Sequence, residues 1–186
     1  MEMEIKKELD KKRAIYLMGD IDESKSESFI KTILELELQD PMKDIIVIID
    51  SYGGYVDSMW AMQDAMNMVA CKVHTLCIGK AMSCGQMMLV GGAKGCRYAT
   101  PNSRIMMHEI STASFGKISD MQNHAKEMTR LDKQFKKFIV DKTKLTTKQL
   151  EEKLKCNYYM SAQEALKLGF IDKVIIKFND LKLKGW

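Results

Sequence analysis

The run Asp44-Ile-Ile-Val-Ile-Ile49 constrains this chain more than any other stretch. It is almost wholly β-branched and apolar without alternation, as a strand is when both its faces are covered. Such a strand belongs inside a mostly parallel sheet with helices packed on it. The flanking segments agree. Arg13 to Met18 reads as a short strand ending at Gly19-Asp20. Glu23 to Gln39 carries Phe29, Ile33 and Leu36 on one side, with Ile30, Leu34 and Leu38 beside them. That is the spacing of an amphipathic helix. Asp40-Pro41 ends it, because proline disfavours helix in the residue before it.

Beyond Ser51-Tyr52-Gly53-Gly54, Met59 to Val69 reads as a helix and Val73 to Ile78 as a second buried strand. Gly79 to Gly85 reads as a small-residue turn and Gln86 to Val90 as a short apolar helix. Two short strands are expected at Cys96 to Ala99 and Arg104 to His108, either side of Pro101-Asn102. Ile118 to Ile139 is a long helix whose stripe of Ile118, Met121, Ala125, Met128, Leu131, Phe135 and Phe138 suits a core seam or a subunit interface. Ser161-Ala-Gln-Glu164 has the form of a capping box, and Gly169 is placed to end that helix. Val174 to Phe178 is the last expected strand. The order of elements predicts one α/β domain over residues 1–186.

Composition narrows the class. The chain has 186 residues, about one domain, with 46% apolar and 29% charged residues, which excludes a disordered chain. No apolar run nears the roughly 20 residues of a membrane span. Met1-Glu-Met-Glu4 lacks the order of a signal peptide. Five cysteines without a CxxC pair read as reduced thiols, so a cytoplasmic location is expected, with no metal site. The sixteen methionines suit an adaptable core or interface. Net charge is +4, concentrated in the lysines of residues 133–148 and 173–184. These lack aromatic interleaving and read as solvated faces, not a nucleic-acid surface.

Three features could carry chemistry. Gly53-Gly54 follows the central strand, where paired glycines make either a tight turn or a cradle of backbone N–H groups for a developing oxyanion. Ser83 lies in Gly79-Lys-Ala-Met-Ser-Cys-Gly85, between a buried strand and an apolar helix. It is either a helix cap or a hydroxyl exposed on a strand–turn–helix corner. Its neighbour Cys84 reads as a small core residue. His108 ends an apolar strand, where it is structural or the base that a weak serine nucleophile needs. His74 falls within a strand and His124 on the long helix, neither near a nucleophile in sequence.

The stretches DPMKDIIVIIDSYGGYV, CIGKAMSCGQMMLVGGAKGCRYATPNSRIMMHE and YYMSAQEALKLGFIDKV together resemble the proteolytic subunit of the Clp protease, a serine peptidase family of the crotonase-like superfamily. The resemblance runs from about Arg13 to Val174 and implies a ClpP/crotonase-like fold. It implies Ser83 as nucleophile, His108 as general base, and an oxyanion hole from the N–H groups of Gly54 and Cys84, without a cofactor. It implies that helix 117–143 is a protruding handle interleaving two stacked heptameric rings. Unfolded polypeptide is the implied substrate and an AAA+ unfoldase the implied partner. The short segment 1–12 leaves the axial loop for that docking short or absent.

The chain also departs from the family pattern. Asn157 stands where the third triad member is normally Asp, Tyr52 where Pro precedes the glycines, Cys156 where Arg is usual, and Glu109-Ile110 where Gln-Pro follows the catalytic His. Asn157 can orient His108 but carries no charge to stabilise an imidazolium, so weak or conditional peptidase activity is expected. Asp172 and Glu109 are candidate substitutes for the missing acid. The alternatives are a low-activity subunit of a mixed ring, favoured by Asn157, and a crotonase-type acyl-CoA enzyme, which would leave the Ser–His pair unused.

Overall fold

The apolar run at 44–49 does lie between two parallel neighbours in a seven-stranded sheet. The structure is a computed structural model and describes residues 13–185. The N-terminal segment 1–12 lies outside the described residues. In chain order the elements are β1 (Ala14–Ile21), α1 (Glu23–Gln39), β2 (Ile45–Gly54), α2 (Val56–Met68), β3 (Val73–Met82), α3 (Cys84–Gly91), β4 (Arg97–Ala99) and β5 (Arg104–Met107). There follow α4 (Ile118–Lys142), α5 (Thr147–Leu154), β6 (Tyr158–Ser161), α6 (Ala162–Leu168) and β7 (Lys173–Val174). All strand pairs are parallel except β5–β6. Among the described residues no helix is long and apolar enough to cross a membrane.

Alternation along β2 explains its composition. Ile45, Val47 and Ile49 enter the larger core with Phe29 and Ile33 of α1, Met59 and Met62 of α2 and Cys84 and Met87 to Val90 of α3. Ile46 and Ile48 point to the other face, into a smaller core with Leu76, Tyr98, Ile175 and Leu181. Successive side chains of a strand face opposite ways, so an unbroken apolar run is needed when both faces are covered. The tail after β7 supplies that second cover. Asp44 fastens its end, donating its N–H to Lys184 O at 3.0 Å while its carboxylate accepts from Lys184 N–H at 2.9 Å.

The decisive element is β3. Its first half pairs with β4 over Thr75–Cys77, and its second half pairs with β5 over Lys80–Met82. Against β2 the register runs Ile49↔Cys77 and then Ser51↔Ala81, so β3 bulges between, where Gly79 takes φ +85°. The expected turn at Gly79–Gly85 is therefore mostly strand. Small residues resemble a loop in sequence, but pairing with β5 extends them.

Other expectations are corrected. The last strand stops at Val174, because the Asp180 carboxylate accepts from the N–H groups of Ile176 and Lys177 and bends the tail away. The Ser161 box is half formed: Ser161 Oγ accepts from Glu164 N–H, but the Glu164 carboxylate takes the Tyr158 hydroxyl instead. The α4 stripe, expected as a core seam or a subunit interface, is not among the corrections: Leu131, Phe135 and Ile139 are buried in this chain, while Ile118 and Met121 at its start are exposed.

Arg97 binds the tail of the sheet to α4. Its guanidinium grips Asp172 through two bonds of 2.9 and 2.7 Å and donates to Lys142 O at 2.7 Å. Burial opposes ionisation of Asp172, yet Arg97 and the N–H groups of Arg97 and Gly95 hold its carboxyl below the usual range. A lowered pKa gives stability that is present above the ordinary carboxylate range and lost as pH falls through the folded value. Asp172→Asn should therefore cost about 3 kcal/mol at neutral pH. In urea unfolding at pH 7 and pH 3, the gap between wild type and variant should shrink at the lower pH.

Candidate active site

The site forms where β3 hands over to α3. Ser83 is the single residue between them, with φ +51° and ψ −123°. A side-chain-bearing residue there is strained by roughly 1–3 kcal/mol and must be held from outside. Its N–H donates to Met106 O at 2.9 Å, which continues the β3–β5 ladder by one residue. Two residues beyond Met106 is His108, and the Nε2 of His108 lies 2.9 Å from Ser83 Oγ. With its proton on Nδ1, the imidazole accepts the hydroxyl proton at Nε2. This is the arrangement a serine hydroxyl needs if a base is to take its proton.

Glycines let the neighbouring backbone approach. A Cβ on Gly53 would sit 2.7 Å from Ser83 Cβ and 2.8 Å from Met82 O, so this residue lies directly against Ser83. A Cβ on Gly54 would fall 2.1 Å from Ile21 O. Ser51, fully buried, accepts from Gly53 N–H at 3.0 Å through its hydroxyl. On the other side α3 begins at Cys84, and Gln86 and Met87 donate to Ser83 O. The N–H of Cys84 precedes the intrahelical ladder. The Cys84 thiol donates to Gly54 O at 3.2 Å, and burial pushes its pKa up.

The third position differs. The last paired residues of β5 and β6 are Met107 and Tyr158, so His108 and Asn157 come next on the two strands. Among the described residues no hydrogen bond joins Asn157 to His108, and Asn157 is exposed. Neither proposed substitute takes its place: Asp172 is held by Arg97, and Glu109 lies 3.9 Å from Lys136 Nζ. His74 is buried on Asp44 at 3.0 Å, and His124 bonds Thr112 at 2.9 Å. Among the described residues no group of three or more His, Cys, Asp and Glu side chains could hold a metal ion. A cavity of about 360 Å³ lies beside Tyr55, floored by Val56, Ile110, Met128 and Leu131, with Glu23 and Asp57 among its lining.

The family model for Clp protease matches residues 1–178. The chain belongs to the Clp protease family. Within the Clp protease fold one of its departures has a local counterpart. Tyr52, in place of the rigid proline, lies under Lys80 Nζ at 4.4 Å, and Lys80 pairs with Asp50 at 2.7 Å. That chain of contacts braces the loop from outside. Cys156, in place of arginine, is exposed.

Sequence reasoning missed Ser51 and the role of Met106 O. Ser51 had a signal: a hydroxyl two residues before a glycine, where it can accept from that glycine's N–H. Met106 had none, because a backbone acceptor carries no residue signature. Gly53→Ala should lose about 2–4 kcal/mol through overpacking and a positive φ. Thermal unfolding checks the stability, and labelling of Ser83 by a fluorophosphonate probe should slow at least in proportion.

Proposed function

We propose that this Clp protease family member is a serine endopeptidase that cuts unfolded or short polypeptides. The observation that carries the reading is the 2.9 Å approach of Ser83 Oγ to His108 Nε2 on a strained corner. Ser83 Oγ attacks the scissile carbonyl while His108 takes its proton. The carbonyl π pair moves onto oxygen, where the N–H groups of Gly54 and Cys84 stabilise the charge. Collapse expels the amine, which receives the proton from His108. Water, activated by the same imidazole, then hydrolyses the acyl-enzyme and restores Ser83. The apolar floor of the neighbouring cavity suits a substrate side chain.

Assembly is part of the proposal. The exposed start of α4 and the residue before it by three, Phe115 at 93% and Ile118 at 77%, would be costly to leave in water. Their cover is a second ring of the same chain, giving an enclosed chamber that admits only unfolded chains. An AAA+ unfoldase is the partner expected from the family. The cytoplasm is the proposed compartment.

Asn157 lowers activity in this reading, because among the described residues no charged group partners His108. The absence of a hydrogen bond from Asn157 to His108 also favours a second reading, a low-activity subunit of a mixed ring. Peptide hydrolysis and fluorophosphonate labelling of the purified chain, with native mass measurement, separate the two. The first reading expects labelling in wild type, none in Ser83→Ala, and a mass of seven or fourteen copies. Asn157→Asp should raise turnover, by up to about 10⁴-fold if it mirrors the cost of the reverse change in another serine protease. Wild type that neither labels nor cleaves supports the mixed-ring subunit and overturns the first reading.

A further inference from the structure

Resting on the Ser83 reading, we infer that the Cys84 side chain is a positioning residue that sets the geometry of the oxyanion hole. One residue touches both walls of the hole. Its N–H is one proposed donor, and its thiol donates to the carbonyl of Gly54, the residue that bears the other donor, at 3.2 Å. The link spans thirty residues of sequence and crosses from α3 to the end of β2.

Gly54 needs such a restraint. Its φ of +154° and the 2.1 Å overlap that a Cβ would make with Ile21 O admit only glycine there. Glycine, however, has the widest choice of backbone torsions, so nothing intrinsic keeps its N–H aimed at the hole. The peptide after Gly54 is held at both ends. Its N–H, on Tyr55, donates to Ile21 O at 2.8 Å, and its C=O accepts from Cys84. Removing the thiol frees the second end and lets the Gly54 torsions relax. Cys84 is buried, and burial keeps the thiol protonated and able to donate through the neutral range. The sulfur is therefore a donor here, not a second nucleophile beside Ser83.

The test compares wild type with Cys84→Ala, which keeps the N–H and loses the side-chain donor, and Cys84→Ser, which keeps a donor. Hydrolysis of a fluorogenic peptide gives kcat and KM. Inhibition by a peptide aldehyde, whose adduct with Ser83 carries the oxyanion, reports the hole directly. Thermal unfolding reports packing. Cys84→Ala should lose about tenfold in kcat with KM nearly unchanged, less than the roughly 10²–10³-fold cost of deleting an oxyanion donor outright. Aldehyde affinity should fall in parallel, and Cys84→Ser should recover part of both. The inference is overturned if alanine keeps the kcat and aldehyde affinity of wild type. It is equally overturned if serine is no better than alanine while all three unfold alike, or if the alanine defect lies in KM alone. Wild type that the fluorophosphonate does not label at Ser83 removes the underlying peptidase reading and this inference with it, a result distinct from any difference among the variants. If Cys84→Ala fails to fold, Cys84→Val takes its place as the variant without a donor: serine better than valine in both kcat and aldehyde affinity supports the inference, and serine no better than valine overturns it.

Discussion

The backbone bond from Ser83 N–H to Met106 O joins the two halves of the site, and the change of partner along β3 makes it available. Had β3 kept β4 as its neighbour to the end, Ser83 would face the wrong strand. His108 would then be carried elsewhere by β5. The bulge at Gly79 supplies the slack for the change, and its φ of +85° is one that a residue with a side chain rarely adopts. Register thus comes before chemistry: a shift by one residue would turn every side chain of the corner to the opposite face.

Around that bond the structure trades local comfort for position. Ser83 adopts a torsion that its own backbone disfavours, and Gly53 and Gly54 approach so closely that no other residue fits. These costs are offset by the larger core. There α3 is buried along its whole length, and Met87, Met88, Leu89 and Val90 are fully enclosed. Burying four such side chains contributes about 6–12 kcal/mol before losses in chain entropy. Methionine among them fits irregular space between the sheet and α2.

Much of this was legible where a residue pattern has a local cause. The run at 44–49 announced a doubly covered strand, and the spacing of α1 and α4 announced helices. The capping form Thr146-x-x-Gln149 equally announces α5, which was overlooked, and there both halves of the box do form. Partner-dependent features were opaque. Gly79 to Met82 became strand only through β5, and Leu38 looked like part of an apolar stripe yet is 87% exposed. The pairing of positions 83 and 108 is legible only as a nucleophile and a base at two adjacent strand ends, and family resemblance assigns their roles. No local rule brings residues 25 apart together, whereas the parallel register of β3 and β5 does. Asn157 was legible as a departure, but its lack of a bond to His108 depends on how β6 leaves the sheet.

The antiparallel pair β5–β6 is only four residues on each side and lies off the main path of the sheet. The carbonyl that restrains the strained serine therefore reaches the main sheet through β3 alone, with Ile105 and Met107 of its own strand buried in the larger core. Local opening there costs less than global unfolding. Were this short ladder to open locally, the corner would relax and the centre fall silent while the remaining sheet stays intact. The molecule would then be cold in function well before it is lost in form, and recovery would need only re-zipping of a short ladder.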